Sequence, residues 1–343
     1  MMETIALDPA EVSAEEYIYD NDWSDGLPVI VPTTDRVERF LEESGYDPVR
    51  NEVIGLVAPA GLPASVERIA VNAVLAGCRP EHLGVVIAAV EAMVKPEFQL
   101  ADIQVTTNPA TPMVIVSGSA AASAGVSAGG GALGPGQHAN GPVGRAVRLI
   151  MRNIGGAVIG IDHATLGQPA KYTFCLAESE ADSPWEPLRV SLGYQPADSA
   201  VIVAGVENVI NVVPIWNRGH DLAPPFLRQF SRLMHTVGTN IFTSYGSPVL
   251  VISPGHARRL AEEGYGRQRL QRELFELGKV PVADMPFGNL DIAQWTTEGD
   301  DILITQKPED ILILVAGGNE SLHSMYMQPF CLGHAVSALV RRP

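Results

Sequence analysis

Residues 72–93 read NAVLAGCRPEHLGVVIAAVEAM, and this stretch sets the class of fold. Apolar residues recur at helical spacing on both sides of Cys78: Val66, Ile69, Val71, Val74 and Leu75 before it, Leu83, Val86, Ile87, Val90 and Met93 after it. Gly77 is suited to end the first helix and Pro80 to open the second. Cys78 then stands just before a helix N-terminus, where unpaired N–H groups and the helix dipole favour an anion. A thiol so placed has a lowered pKa and acts as nucleophile or metal ligand; a packed thiol is only a small hydrophobe.

Working outward, LPVIVP (Leu27–Pro32) reads as a strand and Thr34–Ser44 as a helix with Thr34 as its N-cap. Strands are expected at Val53–Ala58, Ile103–Thr107 and Met113–Gly118. A Gly/Ala/Ser loop, Ser119–Gly141, leads to a helix at Pro142–Ile154 and a strand at Tyr172–Glu178. The second half restarts with β runs at Ala200–Ala204 and Val209–Val213, a helix at Pro225–Val237 and a strand at Pro248–Ser253. A helical pair broken at Gly264 and strands at Ile302–Thr305, Ile311–Val315 and Val336–Val340 complete the chain. Strands alternating with helices predict an α/β fold of mixed sheets with flanking helices. The best division gives two subdomains, residues 1–197 and 198–343. No fixed-period repeat is evident.

The 343 residues are 46% hydrophobic and only 18% charged, which is the composition of a packed globular protein. A net charge of −16, with dispersed arginines, excludes a nucleic-acid partner, because phosphate binding requires a concentrated basic face. Three scattered cysteines, Cys78, Cys175 and Cys331, form neither a disulfide framework nor a zinc-finger spacing. The N-terminus lacks the basic-then-apolar order of a signal peptide, and no apolar run is long enough to span a bilayer, so a cytoplasmic protein away from membranes is expected.

Four constellations could carry chemistry. The first is Cys78. In the second, Gly129, Gly131 and Gly134 fit G-x-G-x-x-G, but the helix starts too late for a dinucleotide fingerprint. The more general reading is an anion site at the helix start. Gly141 and Pro142 open the helix, Arg145 and Arg148 follow, and Gly136, His138 and Asn140 stand just before. The third is GIDHATLGQPAKYTFCLAESE, with adjacent Asp162 and His163, Lys171, and Glu178 at a strand's end where α/β sites commonly lie. Cys175 alternates inward there as a packed residue. The fourth is AGGNESLHSMY, in which Glu320, His323 and Ser324 project from a glycine turn after a strand. His82, His220, His235, His256 and His334 have no partner in sequence. No HExxH, GxSxG, P-loop or EF-hand pattern occurs.

Several blocks carry a resemblance: DGLPVIVPTTDRVERFL (Asp25–Leu41), SVERIAVNAVLAGCRPEH (Ser65–His82), ANGPVGRAVRLIMRNIGG (Ala139–Gly156), KYTFCLAESEADSPWEPL (Lys171–Leu188) and the GGNESLHS turn. Together they resemble a family of uncharacterised bacterial proteins associated with the UGSC group of (seleno)proteins. The Sec/Cys-Gly-Ser-Cys motif of that group is absent here. The resemblance therefore implies blocks to watch, those holding Cys78, Asn140, Arg145, Lys171, Glu178 and His323, and no reaction.

Three functions are open at this point. The first is an enzyme acting on a small anionic organic substrate. In it Cys78 is the nucleophile or redox thiol, Arg145 and the Gly141 helix end clamp the anion, Glu178 or His323 moves protons, and Lys171 is a further catalytic candidate. The second is a metal-dependent lyase or hydrolase drawing ligands from His323, His138 or His163 with Asp162 or Glu178. The third is a binding subunit of a larger assembly with no chemistry of its own, and a homo-oligomer is expected on any of the three readings. No particular cofactor is implied. The Gly134–Asn140 end of the long loop is expected to line the active site.

Overall fold

The computed structural model describes residues 4–8, 10–214, 219–234, 236, 244–285, 295–319, 323–330 and 332–341. Helices α1 to α5 span Ala14–Asp20, Thr34–Ser44, Val66–Ala76, Leu83–Met93 and Leu100–Val105. Helices α6 to α11 span Ser119–Ser123, Asn140–Asn153, Leu188–Ser191, Ala223–Met234, Pro254–Glu262 and Arg267–Leu277. Strands β1 to β6 are Val53–Val57, Leu62–Ser65, Thr111–Ser117, Cys175–Ala177, Ala200–Val212 and Val249–Ile252. Strands β7 to β12 are Val280–Pro281, Thr297–Glu298, Asp301–Ile302, Leu312–Val315, Ser324–Pro329 and Val336–Leu339.

The fold is α/β, centred on a seven-stranded mixed sheet in the order β10-β6-β11-β5-β3-β4, with β12 also paired to β5. It draws strands from both sides of residue 197. The order contains two matching units. In unit one β3 runs parallel to β4 and antiparallel to β5; in unit two β6 runs parallel to β10 and antiparallel to β11. The antiparallel β5–β11 pair joins them. Two hydrogen bonds fix the equivalence: Glu178 N–H donates to Val116 O, and Ala316 N–H donates to Ile252 O in the same way. Ser117 therefore corresponds to Ser253, Ala120 to His256 and Glu180 to Gly318. The antiparallel pairings Ile115–Ile202 and Val251–Met325 likewise set Val201 against Ser324.

The sheet is curled. Side chains on its inner face, including Met113, Ile115, Ile202, Val251, Leu314 and Met327, form one buried cluster. The outer face is covered in two parts. Val114, Val116, Val201 and Val203 pack with α3, α4 and α7, while Leu250, Ile252 and Ile313 pack with α9, α10 and α11. The apolar run around Cys78 folds as expected. Ser65 caps α3 by accepting from Arg68 N–H, Gly77 ends it in the left-handed region at φ 84°, and Pro80 opens a 3-10 turn before α4. Leu83, Val86 and Val90 of α4 are fully buried, each worth roughly 1.5–3 kcal/mol relative to exposure.

Several expected elements differ. Leu27–Pro32 has no strand partner; Ile30 N–H donates to Leu75 O, and the Leu27 and Pro28 carbonyls accept from Arg145. The Ile103–Thr107 strand is instead part of α5, since a short apolar run fits either state and here lies against β3. The strand expected at Tyr172–Glu178 shrinks to Cys175–Ala177, after a 3-10 turn at Pro169–Lys171. The two runs at Ala200–Ala204 and Val209–Val213 are one 13-residue strand, because Gly205 and the buried Glu207 continue it. Ser119–Gly141 is not structureless but holds α6. Strands β2, β7, β8 and β11 form where the sequence pattern predicts none. The end of the expected helix at Val237, and Glu320, His235 and Cys331, lie outside the described residues.

Candidate functional site

Curling brings the carboxyl ends of four strands to one place. β3 and β4 end side by side, as do β10 and β6. Ser179 N–H, just beyond β4, donates to Val315 O at the end of β10 (2.7 Å). The start of the Gly-rich loop sits against this junction: Ala177 N–H donates to Ser127 O and Gly317 N–H to Ala128 O, with a parallel bridge between Gly129 and Gly317. A Cβ on Gly130 would stand 3.7 Å from Gly318 Cα, so two glycine turns cross here with no side chain between them. Gly129–Gly131, Gly318 and Asn319 are exposed. Among the described residues, the N–H groups of Gly130, Gly131, Gly318 and Asn319 donate to no protein acceptor. Carboxyl ends of strands are where α/β proteins bind ligands.

On the unit-one side, Ser117 Oγ lies 2.7 Å from Glu178 Oε2 and 3.0 Å from Glu180 Oε1. Glu180 also accepts from Gly118 N–H and pairs with Arg189. Glu178 accepts from Leu188 N–H and lies 3.5 Å from the Arg267 guanidinium. Burial raises the Glu178 pKa against the pull of Ser117, Leu188 and Arg267. Its carboxylate is enclosed and fully partnered, an arrangement that braces the junction of β4 and β10.

On the unit-two side, the buried His256 and Ser324 face each other, with Nδ1 and Oγ 2.9 Å apart. Ser253 N–H donates to the same hydroxyl (3.3 Å), and whether imidazole or hydroxyl donates between His256 and Ser324 follows the imidazole tautomer. Ser253 Oγ, also buried, has no hydrogen-bond partner among the described residues.

The residues expected from sequence are dispersed. Cys78 is half-buried, packed against the core of α3, α4 and α7, and burial raises its thiol pKa, with Cys175 adding to the rise and Arg145 opposing it. A 3-10 turn, not a full helix start, follows it, and apolar surroundings outweigh any dipole effect. Arg145 is engaged within the chain: its guanidinium grips both oxygens of Asp25 and the carbonyls of Leu27 and Pro28. Burial acts to raise Asp25, but the hydrogen bonds and charge of Arg145 prevail and lower it. Lys171 and Arg148 both hold Asp162, whose pKa falls below the usual range as Lys171 overcomes burial; burial in turn lowers Lys171. Asn140 turns inward, its amide stapling Ser127 and Ala132 of the Gly-rich loop. Gly136 and His138 are exposed, while Gly141 opens onto free space at the start of α7. His323 is exposed and reaches Asn211 Oδ1 at 3.1 Å. His163 contacts Gly160 O.

At the crossing the loop contributes Gly129–Gly131, and its Gly134–Asn140 end reaches them through Gln137 Nε2, which donates to Gly130 O at 3.4 Å, and through Asn140, which holds Ser127 and Ala132. Among the described residues, no group of three or more His, Cys, Asp or Glu side chains is placed to hold a metal ion. No helix there is long and apolar enough to cross a membrane. His256 was missed because its partner lies on another strand 68 positions away; the signal available was a histidine in the first turn of a helix following a strand. Comparison with known proteins finds no matching family model, no similar curated protein and no similar solved structure.

Proposed function

We propose that the protein is an enzyme acting on a small anionic organic molecule bound where the two glycine turns cross. The observation that carries this reading is the convergence of four strand carboxyl ends beneath exposed, unengaged backbone N–H groups. Ser324 and His256 stand on one flank as the acid–base pair. Cys78 has no part in it, since a thiol held protonated by burial is a poor nucleophile. Arg145 has none either, its charge being satisfied by Asp25.

The test is mass spectrometry of a metabolite extract incubated with wild-type protein and with Ser324→Ala. One anionic species should disappear with the wild type and persist with the variant. If the wild type consumes nothing, or the variant consumes the same species at the same rate, the reading fails.

A separate feature supports self-association. Ile159 and Leu166 are 93% and 96% exposed on a loop braced by the Arg148–Asp162–Lys171 ion pairs. Large apolar side chains on an ordered loop favour a protein contact. Mass in solution should fall on Ile159→Asp with Leu166→Asp; an unchanged mass removes the loop from any interface.

A further inference from the structure

We infer that the carboxyl end of β6 is a seat for the carboxylate group of a small organic acid. The seat consists of Ser253 Oγ and the Gly255 N–H group in the first turn of α10, below Gly318. This rests on the reading of the glycine crossing as a small-molecule site, and names the group that enters it.

The two units of the sheet supply the argument. In unit one the equivalent position is filled by the chain itself. The Glu180 carboxylate lies against Ser117 Oγ at 3.0 Å and Gly118 N–H at 2.5 Å, at the start of the helix that follows β3. In unit two the strand, the serine and the following helix recur, but the residue equivalent to Glu180 is Gly318. The Ser253 hydroxyl, 6% exposed as a residue, has no hydrogen-bond partner among the described residues. A buried hydroxyl left without a partner costs free energy, so the serine is best explained by an acceptor from outside the chain. Pro254 removes the N–H that Gly118 supplies in unit one. The N–H group of Gly255, one step further into the nine-residue α10, and the positive end of its dipole replace it. Gly318 is exposed, and a Cβ there would meet only Gly130 Cα, at 3.6 Å, so no side chain of the chain's own takes the place that Glu180 holds in unit one. Because unit one demonstrates that this geometry accepts a carboxylate, a carboxylate rather than a phosphate is assigned.

Acetate and inorganic phosphate, titrated in turn, test the assignment, followed through the amide NMR signals of Ser253, Gly255 and Gly318. Acetate should move these signals saturably in the wild type. Ser253→Ala should weaken the effect about tenfold, the loss of one hydrogen bond to a charged group. Gly318→Glu should supply the carboxylate from within, as Glu180 does, and abolish the response. The seat is overturned if acetate leaves the Ser253 and Gly255 signals in place, if either variant responds as the wild type does, or if phosphate binds more tightly than acetate. Should acetate move only Gly130 and Gly131, the seat falls and the glycine crossing stands. Should it move neither group, both fall.

Discussion

Unit one and unit two share strands, pairings and a serine at the same strand end, yet they treat that end in opposite ways. Unit one closes it with its own charges: Glu178 and Glu180 meet Ser117, Arg189 and Arg267. Unit two places glycine where unit one has Glu180, and sets a buried His256–Ser324 pair where unit one has Ala120 and Val201. The matching places in unit one hold apolar side chains, so this arrangement of strands forms there without a histidine or a serine hydroxyl. Polar groups buried in such places are where a function is sought.

The largest effect is expected in the closed unit. Glu180→Ala leaves Arg189, whose side chain is 7% exposed, without its carboxylate and should cost about 3–5 kcal/mol in urea unfolding. A cost below about 1 kcal/mol would mean that unit one does not depend on its charges and that the contrast is empty.

Next comes the open unit. Ser324→Ala alone leaves the buried imidazole without its hydroxyl and should cost about 1–3 kcal/mol. The double change His256→Ala with Ser324→Val imports the residues of unit one, and its urea midpoint should lie closer to that of the wild type than does that of the single variant. A double variant less stable than Ser324→Ala would show the pair to be structural after all.

A smaller effect separates the carboxylates by pH. The Glu178 pKa is raised in the fold, so its contribution is present below its ordinary 4.5 and is lost as pH rises through the raised value. Asp25 and Asp162 are lowered, so theirs is present above 3.8 and lost as pH falls through the lowered values. Melting temperatures of Glu178→Gln relative to wild type should therefore be more favourable at pH 7 than at pH 4. A constant difference between the two would remove the Glu178 shift. The smallest effect lies in the helical layer over unit one. Cys78 should react with iodoacetamide at pH 7.5 at least about tenfold more slowly than free cysteine, its thiolate being disfavoured by burial. Labelling at the free rate would restore the thiol as a candidate.

Local pattern was the part of this fold that sequence made legible. Thr34–Ser44 forms a helix, though its N-cap is Thr33 and not Thr34, α3 and α4 meet at Gly77, and β6 and β10 are short apolar runs between turn residues. Pairing across the chain was not. Ser324–Pro329 is a central strand of mixed polarity, with Gln328 buried and proline at its end, and shows no period-2 alternation to betray it. The match between the two units is not legible in sequence because it resides in hydrogen-bond register, while the residues at equivalent positions differ in kind: Glu180 and Gly318, Ala120 and His256. Of the candidate site, the two glycine clusters were visible as glycine-rich turns, but their crossing depends on the curl of the sheet. The charged candidates Arg145, Lys171 and Glu178 were chosen for their chemistry, and each has its charge met by a partner distant in sequence or across a turn.

The hydrogen bond from Ser179 to Val315 also bears on how the chain meets other chains. β4 and β10 are the outermost strands of the large sheet, and an outermost strand is ordinarily a template on which a stranger's backbone can lengthen the sheet. Here the ends of these two strands are spent on each other and on Ser127–Gly129, while Arg267 and Gln271 occupy the Ile313 and Ile311 carbonyls along β10. Assembly by strand addition is thereby denied along β10. A partner, including another copy of this protein, has to dock there on side chains and loops.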